Sequence, residues 1–232
     1  MFGWPKKNEA ERPSKWSVPS KYLGIAIQDG YDAGNCTLKH QPIGSLFLPT
    51  GKLVACDPLV FFDSKPFELL FPKGEFPVVL SIAQFRGGSD QRVAFATVRF
   101  SSKPTVAWDM LLLDDQDTST LGANEIFGYG VDAGTGSFMD ERAAALLLKR
   151  CKDDSTFSDK ICAEMDKTYV HTRSWLNLQL DPGLNLVAFS SGVGDGVYAS
   201  YVGFAEDGDI TVAVTDFYLV ERSGTNPTNV TK

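Results

Sequence analysis

"FPVVLSIAQFRGGSDQRVAFATVRF", residues 76–100, decides the fold. Two runs rich in β-branched and aromatic residues flank Gly87-Gly88-Ser89-Asp90, a segment that suits a turn and offers nothing to a core. The pair reads as antiparallel strands. Strict alternation in 92–100 puts Val93, Phe95 and Thr97 on one face and Ala94, Ala96, Val98 and Phe100 on the other. Both faces are apolar, so this strand is expected to be central and covered on both sides.

Similar runs lie to either side. "SLFLPTGKLVACD" (45–57) reads as a hairpin about Pro49-Thr50-Gly51, and "TVAWDMLLL" (105–113) as a further strand. Later come "WLNLQL", "LNLVAFSS", "VYASYVGFA" and "ITVAVTDFYLVE", with a hairpin turn at Asp207-Gly208. Helical signals are confined to the middle. "DERAAALLLKR" (140–150) has acids at its start and bases at its end, as the helix dipole favours. A second helix is expected over 158–168, capped by Ser158 and stapled by Phe157 against Cys162.

The expectation is a mainly β (β-rich α+β) chain. It is a sandwich or rolled barrel of about ten mostly antiparallel strands with one or two helices inserted near 140–168. Residues 1–20 read as an irregular arm that Trp4 and Trp16 pin to the body, 21–222 as a single β-rich domain, and 223–232 as a polar tail.

The chain has 232 residues and a net charge of −7. An acidic balance opposes phosphate backbones, and the basic residues form no stripe, so nucleic acid is not an expected partner. A protein with a basic surface is. No apolar run is long enough to span a bilayer, and the N-terminus lacks a signal peptide. The default location is the cytoplasm, despite glycosylation-type triplets at Asn35 and Asn229. Four cysteines without CxxC and two histidines give a zinc site little support; the thiols read as reduced and mostly buried. No G-x-S-x-G is present, and neither His40 nor His171 lies in a triad setting. Met110, Met139 and Met165 read as core filling.

The chemistry-bearing candidates are two Gly/Asp-rich stretches. "VDAGTGSFMD" (131–140) contains Asp132, Gly134, Gly136 and Asp140. Its Asp-Ala-Gly-Thr looks like the phosphate loop of sugar kinases and actin-like ATPases, but it runs into a helix and lacks the second glycine-rich motif of those proteins. The plainer reading has Gly134 and Gly136 at positive φ and Ser137 with Asp140 as a capping box. "FSSGVGDGVYASYVGF" (189–204) contains Gly192, Asp195, Gly196 and Tyr198. A hard cation, Mg²⁺ or Ca²⁺, is a candidate ligand for Asp132, Asp140, Asp195 and Asp216, with Asp57 either a further ligand or a turn residue. Asp216 shares a strand face with Val212, Val214, Tyr218 and Val220. A carboxylate there needs hydrogen bonds, a cation or an arginine, the last being the commonest solution.

"GKLVACDP", "FPKGEFPVVLSIA", "RVAFATVRFS", "GYGVDAGTGSFMD", "FSSGVGDGVYASYVGF" and "VTDFYLV", in that order, resemble the domain of unknown function 4241 family over roughly residues 44–221. The resemblance implies a soluble, mainly bacterial domain with no established activity. Its blocks centre on Asp132, Gly134, Gly136, Asp140, Gly192, Asp195, Gly196, Tyr198, Asp216 and Phe217.

Two functions follow as expectations. One is a soluble acidic binding protein, of accessory or immunity type, that uses its Gly/Asp-rich loops. The other is a divalent-metal-dependent hydrolase acting on a phosphoester, with the acids converging in one cleft.

Overall fold

The computed structural model describes residues 20–61, 63–85, 88–122 and 125–220. The arm with Trp4 and Trp16, the polar tail and Gly87 lie outside them.

The chain is a β-sandwich of antiparallel sheets, not a barrel. The large sheet comprises β1 (Cys36–Leu48), β3 (Gly74–Phe85), β4 (Gln91–Arg99), β5 (Ala107–Met110), β11 (Ser200–Phe204) and β12 (Ile210–Asp216), in the order β1-β3-β4-β12-β11-β5. The small sheet runs β2-β7-β9-β8 and comprises β2 (Leu53–Cys56), β7 (Thr135–Asp140), β8 (Trp175–Asp181) and β9 (Leu184–Ser190). A two-stranded ribbon pairs β6 (Tyr129–Val131) with β10 (Gly196–Tyr198). Among the described residues the strands number 12, against the ten or so expected.

Alternation sorts the side chains into three apolar layers. Between the sheets, Leu46, Leu80, Val98 and Ala213 of the large sheet meet Leu53, Phe138, Val187 and Phe189 of the small one. The far face of the large sheet carries Leu38, Phe95, Val212 and Val214, covered by Tyr22 and Leu23 of α1 (Ser20–Leu23) and by Ile25. The far face of the small sheet carries Val54, Met139, Leu186 and Ala188, covered by α2 (Glu141–Asp153) and α3 (Phe157–Asp166). α2 contributes Ala143, Ala144 and Leu147, spaced along one stripe.

β4 is central and covered on both faces, as its composition implied. Its face assignment differs. The β3–β4 register shifts between Ser81 and Ile82, leaving Ala94 as an extra residue. This bulge turns Val93 to the inner face with Ala96 and Val98, while Ala94 and Phe95 both lie in the outer core. The β3–β4 and β11–β12 hairpins form as read, with Gly208 at φ +87°.

Pro49–Gly51 does not close a hairpin. β1 and β2 belong to different sheets, so the segment is a crossover, pinned where the Phe71 N–H donates to the Gly51 carbonyl at 2.8 Å. α3 starts at Phe157, and Ser158 is not its cap. The Asp154 carboxylate, just upstream, instead accepts the Thr156 N–H and hydroxyl. Phe157 packs into the core under the helices. Met110, Met139 and Met165 are buried as core. No disulfide joins the cysteines: Cys36 and Cys56 are buried, Cys151 is half-buried and Cys162 exposed.

Candidate functional site

The two Gly/Asp-rich stretches meet. β7 and β9 are neighbours in the small sheet (Thr135 opposite Ser190), and β6 and β10 continue the same pair as the ribbon (Val131 opposite Gly196). Residues 132–134 and 191–195 are thus one corner, where two adjacent strands bend together out of the small sheet. Gly134 and Asp195 clasp it: the Gly134 N–H donates to Asp195 Oδ1 at 3.1 Å, and the Ser191 N–H to the Gly134 carbonyl at 3.0 Å. The Tyr198 hydroxyl donates to the Gly194 carbonyl at 2.8 Å. The turn uses the left-handed region at Gly134, Gly192 and Gly194, where glycine carries no Cβ penalty.

Gly136 differs from the expectation. Its φ is not positive; it is a glycine for want of space. A Cβ there would lie 2.7 Å from the Tyr129 hydroxyl and 3.0 Å from the Phe189 ring. Gly192 is tight as well, with Phe217 Cβ 2.9 Å from where its own would stand. Phe217 packs edge-on against Tyr198 at 4.8 Å and Phe189 at 6.1 Å, which ties the corner to the core.

Successive N–H groups at 132–134 form the kind of concavity that binds anions. Here the chain fills it itself. Asp57 Oδ2 accepts the N–H groups of Asp132 (3.0 Å) and Ala133 (2.7 Å), and Asp195 takes that of Gly134. Asp57 Oδ1 accepts the Leu59 N–H at 2.9 Å, and the residue is fully buried. A phosphate would have to displace two carboxylates, so the phosphate-loop resemblance does not extend to phosphate binding.

The other acids are used in the same way. Asp140 is the N-cap of α2 by itself: Oδ1 accepts the Arg142 N–H at 2.9 Å, and Oδ2 accepts the Thr50 N–H and hydroxyl at 2.9 and 2.7 Å. Ser137 is no partner in a capping box. It lies in β7 and donates its hydroxyl to the Cys56 carbonyl at 2.8 Å. Asp216 does share a face with Val212 and Val214, in the outer core. Its partners include the Tyr22 hydroxyl (3.1 Å) and the Tyr218 N–H (2.8 Å). That second bond holds Tyr218 at φ +56°, a conformation costly for a residue with a Cβ.

This geometry does not gather the four candidate acids into one cation site. Mg²⁺ and Ca²⁺ take about six to eight oxygen ligands. Asp140 stands at the far end of β7 from the 132–134 turn, and Asp216 in a different apolar layer, each facing N–H and O–H donors. Of these four acids only Asp132 and Asp195 share the corner, and Asp57 beneath them is taken up by backbone N–H groups. Among the described residues no group of three or more His, Cys, Asp or Glu side chains is placed to hold a metal ion.

Among the described residues neither histidine is paired with a nucleophile. His40, on β1, donates Nε2–H to the Ala26 carbonyl at 3.2 Å and accepts from Arg99 Nη2 at Nδ1, also at 3.2 Å. Burial and the Arg99 charge lower its pKa. His171 is exposed, in a turn at φ +59°. Burial pushes the Cys56 thiol up to about 11, which leaves it protonated and unreactive.

Sequence reading missed Asp57 as the keystone. The signal available was a lone Asp-Pro after a strand, which a turn explains equally well. No helix among the described residues is long and apolar enough to cross a membrane.

No curated protein and no solved structure matches the chain. Residues 46–215, which take in the small sheet, most of the large one and the whole corner, match the family model described as Protein of unknown function (DUF4241), and the chain belongs to that family.

Proposed function

We propose that this is an acidic binding protein of the cytoplasm and that the corner made by 132–134 and 191–195 is its contact surface. The observation that carries this reading is the clasp between Gly134 and Asp195, which gathers two separate loops into one projecting surface. Asp132 and Asp195 are exposed there, and Val193, at the apex between Gly192 and Gly194, is 69% exposed. The buried acids Asp57, Asp140 and Asp216 all serve the fold, whereas the Asp132 carboxylate has no partner among the described residues. An exposed valine flanked by two carboxylates suits a protein partner with a basic surface around an apolar spot, and the net charge of −7 favours its approach.

The test is affinity capture from native cells, beginning with proteins encoded beside this chain. Wild type is compared with Asp132→Lys and Val193→Glu. The expected result is a basic partner retained by wild type, lost from both variants at unchanged Tm, and released by salt. Equal retention by all three proteins would sink the reading.

A further inference from the structure

A second surface, separate from the corner, lies along the outer edge of β8. The hydrogen bonds of β9 decide which β8 groups are open. The Ser191 N–H bonds the Gly134 carbonyl, and the Ser190 N–H bonds the Ser174 carbonyl. Residues 186, 188 and 190 therefore bond to β8 at 178, 176 and 174, in the register that pairs Leu176 with Ala188 and Leu178 with Leu186. In an antiparallel ladder the alternate residues Trp175, Asn177 and Gln179 then point their N–H and C=O groups away from the sheet.

Both ends of this open edge are closed by side chains. The Thr168 hydroxyl takes the Trp175 N–H and donates to its carbonyl. Arg150 donates to the Leu180 carbonyl. Between them the backbone groups of Asn177 and Gln179 have no partner among the described residues. Asn177, with Leu176 and Leu178, lines a groove of about 220 Å³ that Ile43 and Trp175 also line, together with Glu164, Lys167 and Thr168 at the end of α3; Gln179 continues the open edge beyond it. The outer edge of β1, by contrast, is covered: the Asn185 side chain accepts the Phe47 N–H, and Asn177 and Asn185 donate to the Ser45 carbonyl.

We infer that this groove takes an extended peptide segment of a partner protein, which adds to β8 as a fifth strand of the small sheet. Two N–H and two C=O groups in strand geometry are complementary to a backbone and to little else. Alternate side chains of the peptide enter the groove, against Ile43, Trp175 and the end of α3. A second copy of the chain is not the occupant. The open run of three residues is about 10 Å long, and pairing over that length buries far less than the roughly 1,200 Å² of a stable interface.

The experiment selects random displayed dodecapeptides against the full chain and measures the enriched sequence by fluorescence anisotropy. Gln179→Pro is the protein variant, because its N–H faces outward and an edge strand tolerates proline there. The peptide is also made with alternate amides N-methylated, in both registers. The expected result is binding to wild type, weakened about tenfold or more by Gln179→Pro at unchanged Tm, and abolished by one methylation register but not the other. The methylated peptides decide the matter if the variant does not fold. No enrichment, or enriched peptides indifferent to methylation, would overturn the inference. So would a concentration-dependent dimer that Gln179→Pro abolishes, since the edge would then serve a second copy.

Discussion

Asp57 Oδ2 lies 2.7 Å from the Ala133 amide nitrogen, across 76 residues of sequence and with no solvent access to the carboxylate. Three N–H groups converge on this one side chain, at Leu59, Asp132 and Ala133. It is the acceptor that lets two strands turn together at the corner. Asp57→Ala strands those donors in the interior, where each unmade bond costs about 1–3 kcal/mol. The expected loss is about 3–5 kcal/mol in urea unfolding, while Asp132→Ala, an exposed neighbour, stays within about 0.5 kcal/mol. A loss under about 1 kcal/mol for Asp57→Ala would remove its keystone role.

Gly136 and Gly134 are glycines for different reasons, and alanine tells them apart. At Gly134 the cost is that of φ +61°, with nothing closer than 3.9 Å to the added Cβ, so Gly134→Ala should cost about 1 kcal/mol. At Gly136 the Cβ meets the Tyr129 hydroxyl, Phe189 and Phe217, all of them packed rings. Overpacking of that kind costs about 1–3 kcal/mol or more. Thermal unfolding of the two variants should rank Gly136→Ala as the worse; the reverse order would contradict the close packing.

Asp140 caps α2 and also holds the crossover through Thr50. Asp140→Ala loses both functions and should cost about 2–3 kcal/mol, more than a surface cap alone. Thr50→Val removes the hydroxyl bond to Asp140 and the acceptor of the exposed Lys52 N–H, and should cost about 1–2 kcal/mol. In a double-mutant cycle the two changes are expected to be non-additive, because they share one oxygen. Strict additivity would show that the Thr50 contact contributes nothing.

His40 gives the fold a pH dependence whose sign follows from its surroundings. Arg99 donates to Nδ1, and the ring is half-buried between β4 and the turn at 24–29. Asp29 offsets part of this, but desolvation and the Arg99 charge prevail and the folded pKa is lowered from 6.5. The unfolded state therefore takes up the proton first. Stability is present in full above 6.5 and falls as the pH drops below it towards the depressed folded value. Tm measured from pH 7.5 to about 4.5 should decline more steeply for wild type than for His40→Gln. Parallel curves would mean that His40 titrates alike in both states.

The cation prediction is a null with a clear alternative. Chelator-treated protein titrated with Mg²⁺, Ca²⁺, Mn²⁺ or Zn²⁺ should show no rise in Tm, because Asp57, Asp140 and Asp216 already face N–H or O–H donors. A rise lost in Asp195→Asn would restore a metal site at the corner.

Local pattern alone determined the class of this protein. Alternating apolar residues, the turn at 207–208 and the helix at 140–150 were legible because period, turn chemistry and dipole act over a few residues. The bulge at Ala94 was not, since one extra residue in a ladder is decided by the partner strand. Nor was the destination of the 49–51 turn: the same residues close a hairpin or cross between sheets, according to what β2 finds to pair with. The acids show the division most plainly. Their positions in Gly-rich turns were visible, but a carboxylate in a sequence is equally a metal ligand, a cap or a buried acceptor. Only the tertiary structure, by bringing the 132–134 amides to Asp57 and Asp195, decided which. Hydrogen-bond satisfaction in a buried corner depends on groups many residues apart, and no local signal carries it.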